Sequence, residues 1–218
     1  MRSRAARAPA LVLSVVLATG CLSSPSGHER AERVLEQLGA RRAAIVAVSD
    51  DVARTTEAID VLSREGADPR PIFDRFVLAL ETTEEAADEA ASSAKASEKA
   101  WRSFSRACER DTASIRSASV RERAEKRRAE TSALFEAVGA AQKRADEVLE
   151  PYLSQVTDLR KYLENDVTPA GLESAQDLLR KAQQDGARVR ERFQDLASRV
   201  DQARKAIAPV QPAPAKVR

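Results

Sequence analysis

The chain has 218 residues, with 36 Lys or Arg against 34 Asp or Glu, and with aromatics at only 4% and seven glycines. That composition argues against a compact mixed fold and for long helices. The formal charge of +2 includes Arg2, Arg4 and Arg7, which lie in a segment expected to be removed while every acid stays. The mature chain is then close to neutral, so overall basicity gives no case for a nucleic-acid partner, and two cysteines supply no disulfide framework.

Residues 1–10 carry the three arginines and no acid. Leu11 to Ala18 is apolar apart from Ser14, and the small residues Thr19 and Gly20 follow. A basic start, a short apolar run and small residues make up a signal peptide, expected over 1–20. The run is well short of the ~20 residues that cross a hydrocarbon core, which makes a retained span the weaker reading. Leu17-Ala18-Thr19-Gly20-Cys21 resembles the lipobox of bacterial lipoproteins, with Ala18 where leucine is commonest. The resemblance implies that Cys21 becomes a lipidated N-terminus carrying two or three acyl chains. At ~0.8 kcal/mol per buried methylene these would hold the protein on a membrane. Leu22 in place of an aspartate implies, by the same class rule, the periplasmic leaflet of the outer membrane. An ordinary signal peptide with an incidental cysteine is the alternative. Residues 21–27 read as a lipidated linker. His28, the lone histidine, reads as a solvated residue at its end.

Residues 28–208 read as a helical bundle. Ser26 and Glu29 have capping-box spacing. Leu38, Ile45, Val52 and Ile59 then recur every seven residues, joined by Val34, Val48 and Leu62 and broken by polar Arg41 and Thr55. Gly66 to Pro71 is the stop signal. In the second helix Phe73, Phe76, Leu80, Thr83, Ala87, Ala90, Ala94, Ser97, Trp101, Phe104 and Cys108 step by three and four without a charge. Its small-residue middle predicts close approach by a neighbouring helix and a softer part of the bundle. Trp101 and Cys108 read as core.

Glu109 to Ala118 reads as a turn or frayed segment, with Ser119 and Glu122 as a second capping box. The third helix starts polar and settles into Phe135, Val138, Gln142, Ala145, Leu149, Tyr152, Val156, Leu159 and Leu163. A kink is expected at Pro151, because the stripe keeps its phase across it. Thr168 and Pro169 read as N-cap and first residue of a fourth helix, which carries Leu172, Ala175, Leu179, Ala182, Gly186, Val189, Phe193, Leu196, Val200, Ala203 and Ile207. Residues 209–218 form a proline-containing flexible tail. The fold class is all-α, an elongated antiparallel long-helix bundle with coiled-coil-like stripes and four helices. A three-helix core with one helix swung out is the alternative.

Glu150-Pro151-Tyr152-Leu153, Asp158 to Asn165 and the following Leu172 resemble the domain-of-unknown-function family numbered 2959, exported long-helix bacterial proteins of which many are lipoproteins. The resemblance implies a fold and a compartment, and it carries no activity.

No catalytic constellation, metal-ligand set or cofactor motif emerges. Glu81, Glu84, Glu85, Asp88 and Glu89 read as a solvated or salt-bridged face in preference to a cation site. The candidate site is the basic cluster of Arg102, Arg106, Arg110, Arg116, Arg121, Arg123, Lys126, Arg127 and Arg128 around the connection of the second and third helices. In an up-down bundle that turn lies at the anchored end. It is expected to meet anionic headgroups or another anionic envelope component, and a plain solvated charge mixture is the alternative. The expected function is a non-enzymatic, membrane-anchored helical spacer, scaffold or adaptor that pairs with a protein partner or itself through its stripes. A binding protein for anionic lipid or peptidoglycan is the alternative. No nucleic-acid partner is expected, since interleaved aromatics are missing.

Overall fold

The computed structural model describes residues 26–64 and 68–208; the expected signal peptide, Cys21, the Gly66 turn and the 209–218 tail lie outside them. Every element among the described residues is helical: α1 (Gly27–Leu62), α2 (Pro69–Ala113), α3 (Ala118–Asn165), α4 (Pro169–Ser174) and α5 (Gln176–Ile207). Where the stripes predict four helices there are five among the described residues, because the fourth breaks at Ala175. That residue ends α4, and Leu179 N–H still donates to its carbonyl at 2.9 Å, so α5 starts with little change of course.

The helix starts follow local chemistry. Ser26 and Glu29 form the reciprocal capping box, Ser26 N–H donating to Glu29 Oε2 at 2.6 Å and Glu29 N–H to Ser26 Oγ at 3.2 Å. His28 therefore sits in the first turn of α1 and not in a linker, with Nε2 3.0 Å from Glu32. Asp68 caps α2, placing Pro69 at its first position, where no backbone donor is missed. Thr168 accepts from Gly171 N–H at 3.1 Å, with Pro169 next, as its spacing predicts. Gly171 is required there because any Cβ would collide with the Asp166 carbonyl.

Two boundary expectations are corrected. Helix α2 runs on to Ala113, with Thr112 buried, and the break is confined to Ser114–Ser117. Charge along that stretch hid a helix whose other face still finds cover. The N-cap of α3 is Ser117, without a side-chain cap bond, and the Ser119–Glu122 box does not form. Pro151 lies within α3, which continues through it, and Leu149, Tyr152 and Val156 keep one buried face on both sides.

The helices pack as antiparallel neighbours. Thr55 and Thr83 join α1 to α2 at 2.9 Å, Arg42 and Asp201 join α1 to α5 at 2.8 Å, and Arg144 and Asp195 join α3 to α5 at 3.1 Å. At the α2–α3 seam Arg128 meets Glu109 at 3.3 Å near one end, and Arg160 meets Glu81 at 3.8 Å near the other. The core is the union of the stripes, with Leu38, Val48, Ile59, Leu80, Leu179 and Leu196 all fully buried. Burying a leucine or isoleucine contributes ~1.5–3 kcal/mol. No helix among the described residues is long and apolar enough to cross a membrane.

The seams are unequal. Helix α1 packs intimately on α2 and α5, and α5 on α3, whereas α2 and α3 touch sparsely. The small middle of α2 thus gives close approach to α1 through Ala90, Ser93 and Ser97, and leaves its flank toward α3 open.

Candidate functional site

The basic turn is assembled from the end of α2 and the start of α3. Arg30, in the second turn of α1, meets Asp111 at 2.6 Å, so this turn stands beside the N-terminus of α1. Arg128 is half-buried against Glu109, Arg102 pairs with Glu98, and Arg106 Nε donates to the Arg102 carbonyl at 3.2 Å. Arg110, Arg116, Arg121, Arg123, Lys126 and Arg127 are exposed and have no ion-pair partner among the described residues. The nine residues of the cluster thus divide into three braced by the helices and six that present charge to solvent. Val120, 51% exposed, lies among them.

Cys108 is half-buried beneath this turn. Burial pushes its thiol above the ordinary value, which opposes the thiolate needed for nucleophilic or metal-binding chemistry. Among the described residues no group of three His, Cys, Asp or Glu converges as a metal site. In the acidic run of α2, Glu81 pairs with Arg160 and Glu84 accepts from Thr157 at 3.0 Å, which ties α2 to α3.

The sequence did not point to the second feature. Between α2 and α3 lies an open groove of about 1000 Å³. Its α2 wall is Ala87, Ala91 and Ala94, and its α3 wall is Val138, Gly139, Leu149 and Leu153. At the end nearer the basic turn Trp101 and Phe135 stack with centroids 3.7 Å apart and planes 4° from parallel. A Cβ added at Gly139 would meet nothing within 4 Å, so the groove is unfilled there.

Arg41 lies at the floor of the groove, 6% exposed, donating from Nη1 to Ser97 Oγ at 3.1 Å and from Nη2 to Gln142 Oε1 at 2.8 Å. Gln142 in turn donates to Asp146 Oδ1 at 2.8 Å. Burial lowers the Arg41 pKa, and the nearby charges of Glu98 and Asp146 oppose that shift. The polar members of three apolar stripes thus meet at one level. On the rim Asp88, Glu136, Asp146 and Glu150 have no ion-pair partner among the described residues, and neither has Lys95.

No protein-family model, no curated protein and no solved structure matches the chain.

Proposed function

We propose that the chain is a membrane-anchored, non-enzymatic helical lipoprotein of the cell envelope, a spacer or adaptor that stands on the membrane with its basic turn facing the lipid. Cys21 is the anchor in this reading, and the periplasmic leaflet of the outer membrane is the expected site. The lipobox-like Leu17 to Cys21 supports the anchor, and the family resemblance at Glu150 to Asn165 is consistent with an exported helical protein.

The observation that carries the reading is the Arg30–Asp111 contact. Helix α1 begins six residues after Cys21, and this contact holds the basic turn beside its first turns. A lipid on Cys21 then brings Arg110, Arg116, Arg121, Arg123, Lys126 and Arg127 within a short linker of the headgroups. Each basic residue near an anionic surface is worth ~1 kcal/mol, less with salt. The six exposed residues of the cluster also support the second reading, a binding protein for anionic lipid or peptidoglycan.

Two variants test the proposal. Cys21→Ser is expected to leave the membrane fraction, and a variant that stays there like the parent contradicts the anchor. In the Cys21→Ser chain, Arg121→Gln, Arg123→Gln and Arg127→Gln together are expected to weaken binding to anionic vesicles. Unchanged binding contradicts a lipid-facing turn.

A further inference from the structure

Helix α2 carries charges that its own chain leaves unmatched. Its outer face steps by four and three through Glu81, Glu85, Asp88, Ser92, Lys95, Lys99 and Arg102, all exposed, acidic before Ser92 and basic after it. Like charges four residues apart on a helix repel, as Glu81 does Glu85 and Lys95 does Lys99, so this segregation costs the lone chain stability. The helix dipole does not account for it, because its influence fades within the first turn and Glu81 lies twelve residues past Pro69. Helix α5 instead pairs opposite charges along its length, from Asp177 with Arg180 to Asp201 with Arg204. On α2 the one intrahelical ion pair among the described residues is Glu98 with Arg102, and Glu85, Asp88, Lys95 and Lys99 have no ion-pair partner there. Asp88, Lys95 and Arg102 border the open α2–α3 groove, so this face stands clear of α3.

We infer that a second copy of the chain docks on this face, α2 against α2 and antiparallel, about a two-fold axis at Ala91 and Ser92. Turning one copy over about that axis sets Asp88 against the second copy's Lys95, Glu85 against its Lys99 and Glu81 against its Arg102, and each couple forms twice. All three couples are centred on the same level of the helix, so one register satisfies them together. A parallel pairing sets acid on acid. Ala91 and Ser92 are exposed and small, which lets the two helices approach toward ~8 Å at the axis. Glu81 and Arg102 extend the pairs they already make, with Arg160 and Glu98, into networks across the contact. From Glu81 to Arg102 the contact is about 32 Å long at the rise of an α-helix. One helix face held by surface ion pairs is a small interface, so the pair is weak and sensitive to salt. The axis places the two basic turns at opposite ends. On the membrane-anchored reading, on which this consequence rests, the pair joins copies standing on two facing lipid surfaces.

The experiment takes the full chain carrying Cys21→Ser, without lipid and at low salt, and measures its mass by sedimentation equilibrium at up to about 0.5 mM. The parent is expected to dimerise, and about 0.5 M salt to weaken the dimer about tenfold. Asp88→Lys and Lys95→Asp change exposed residues, and each alone is expected to weaken the dimer about tenfold. An equimolar mixture of the two variants, or both changes in one chain, is expected to restore it, which a folding defect would not allow. Orientation is read by oxidative cross-linking in a Cys108→Ala background. Ser92→Cys, at the axis, is expected to link two copies; Ser103→Cys, three turns on along the same side of α2, is not. A chain that stays monomeric overturns the proposal. So does a dimer indifferent to the charge variants, or one that links at Ser103→Cys as well as at Ser92→Cys. These measurements use no membrane, so failure of the lipid-facing turn in vesicle binding leaves their outcome untouched. A parent that dimerises and binds anionic vesicles is expected to cluster them, and vesicles bound but not clustered overturn the bridging.

Discussion

Arg41 on α1 donates to Gln142 on α3 at 2.8 Å, a bond between two helices that are not packed as neighbours. The arginine reaches across the centre of the bundle because Ser97 and Ala94 on the intervening helix are small enough to let it pass. Charged hydrogen bonds of this kind contribute ~1.5–3 kcal/mol, and losing one partner leaves a buried charge poorly compensated.

Gln142→Leu is therefore expected to cost about 2 kcal/mol in urea unfolding. Adding Arg41→Met to it should recover most of that loss, since a well-packed apolar pair often matches a buried polar one. A double variant no more stable than the single one would show that Arg41 supports the core by packing alone.

Thr55 and Thr83 form the second polar level of the α1–α2 seam, both fully buried and 2.9 Å apart, and Thr83 also donates to the Ala79 carbonyl at 2.8 Å. The Thr55 hydroxyl accordingly donates to Thr83. Thr83→Val strands it and is expected to cost about 1–2 kcal/mol, while Thr55→Val with Thr83→Val costs less. Equal losses in a thermal or urea series would refute the pairing.

These two levels show how much was written in the sequence. Arg41 and Thr55 are two heptads apart on α1, as are Thr83 and Ser97 on α2, so one antiparallel register satisfies both pairs. The stripes announced the buried faces because a helix repeats its faces every 3.6 residues. They did not announce the groove, since seam width depends on how two long helices diverge, and no local pattern records that. Helix α2 ran past Glu109 for a similar reason. Its charges are compatible with a helix once Arg30 and Arg128 from neighbouring helices face Asp111 and Glu109.

Gly186 marks a close approach of α5 to α1 and α3. A Cβ there would press on Thr56 Oγ1 and come within 3.3 Å of the Tyr152 ring. Gly186→Ala gains ~1 kcal/mol of helix propensity but overpacks the core by ~1–3 kcal/mol, and a net loss of about 1 kcal/mol is expected. Thr56→Ala should relieve it, because it removes the Oγ1 on which the added Cβ would press. A stabilised Gly186→Ala chain in calorimetry would show that the crossing is looser than described.

Burial pushes the Tyr152 phenol up to about 12 from an ordinary value of 10.0. The folded pKa is raised, so the stabilisation is complete below pH 10 and is lost as pH climbs through 12, by roughly 2–3 kcal/mol in all. Tyr152→Phe should flatten that alkaline decline, and spectrophotometric titration should lose one late-titrating tyrosine. An unchanged alkaline slope would place the cause elsewhere.

The central claim is orientation, and lipid-borne quenching reads it most directly. The lipidated chain is reconstituted on anionic liposomes carrying a headgroup quencher, with a fluorophore at position 116 in one sample and at position 166 in another. The account predicts strong quenching at 116, in the basic turn, and little at 166, at the opposite end of α3. Equal quenching at the two positions, or stronger quenching at 166, would contradict it.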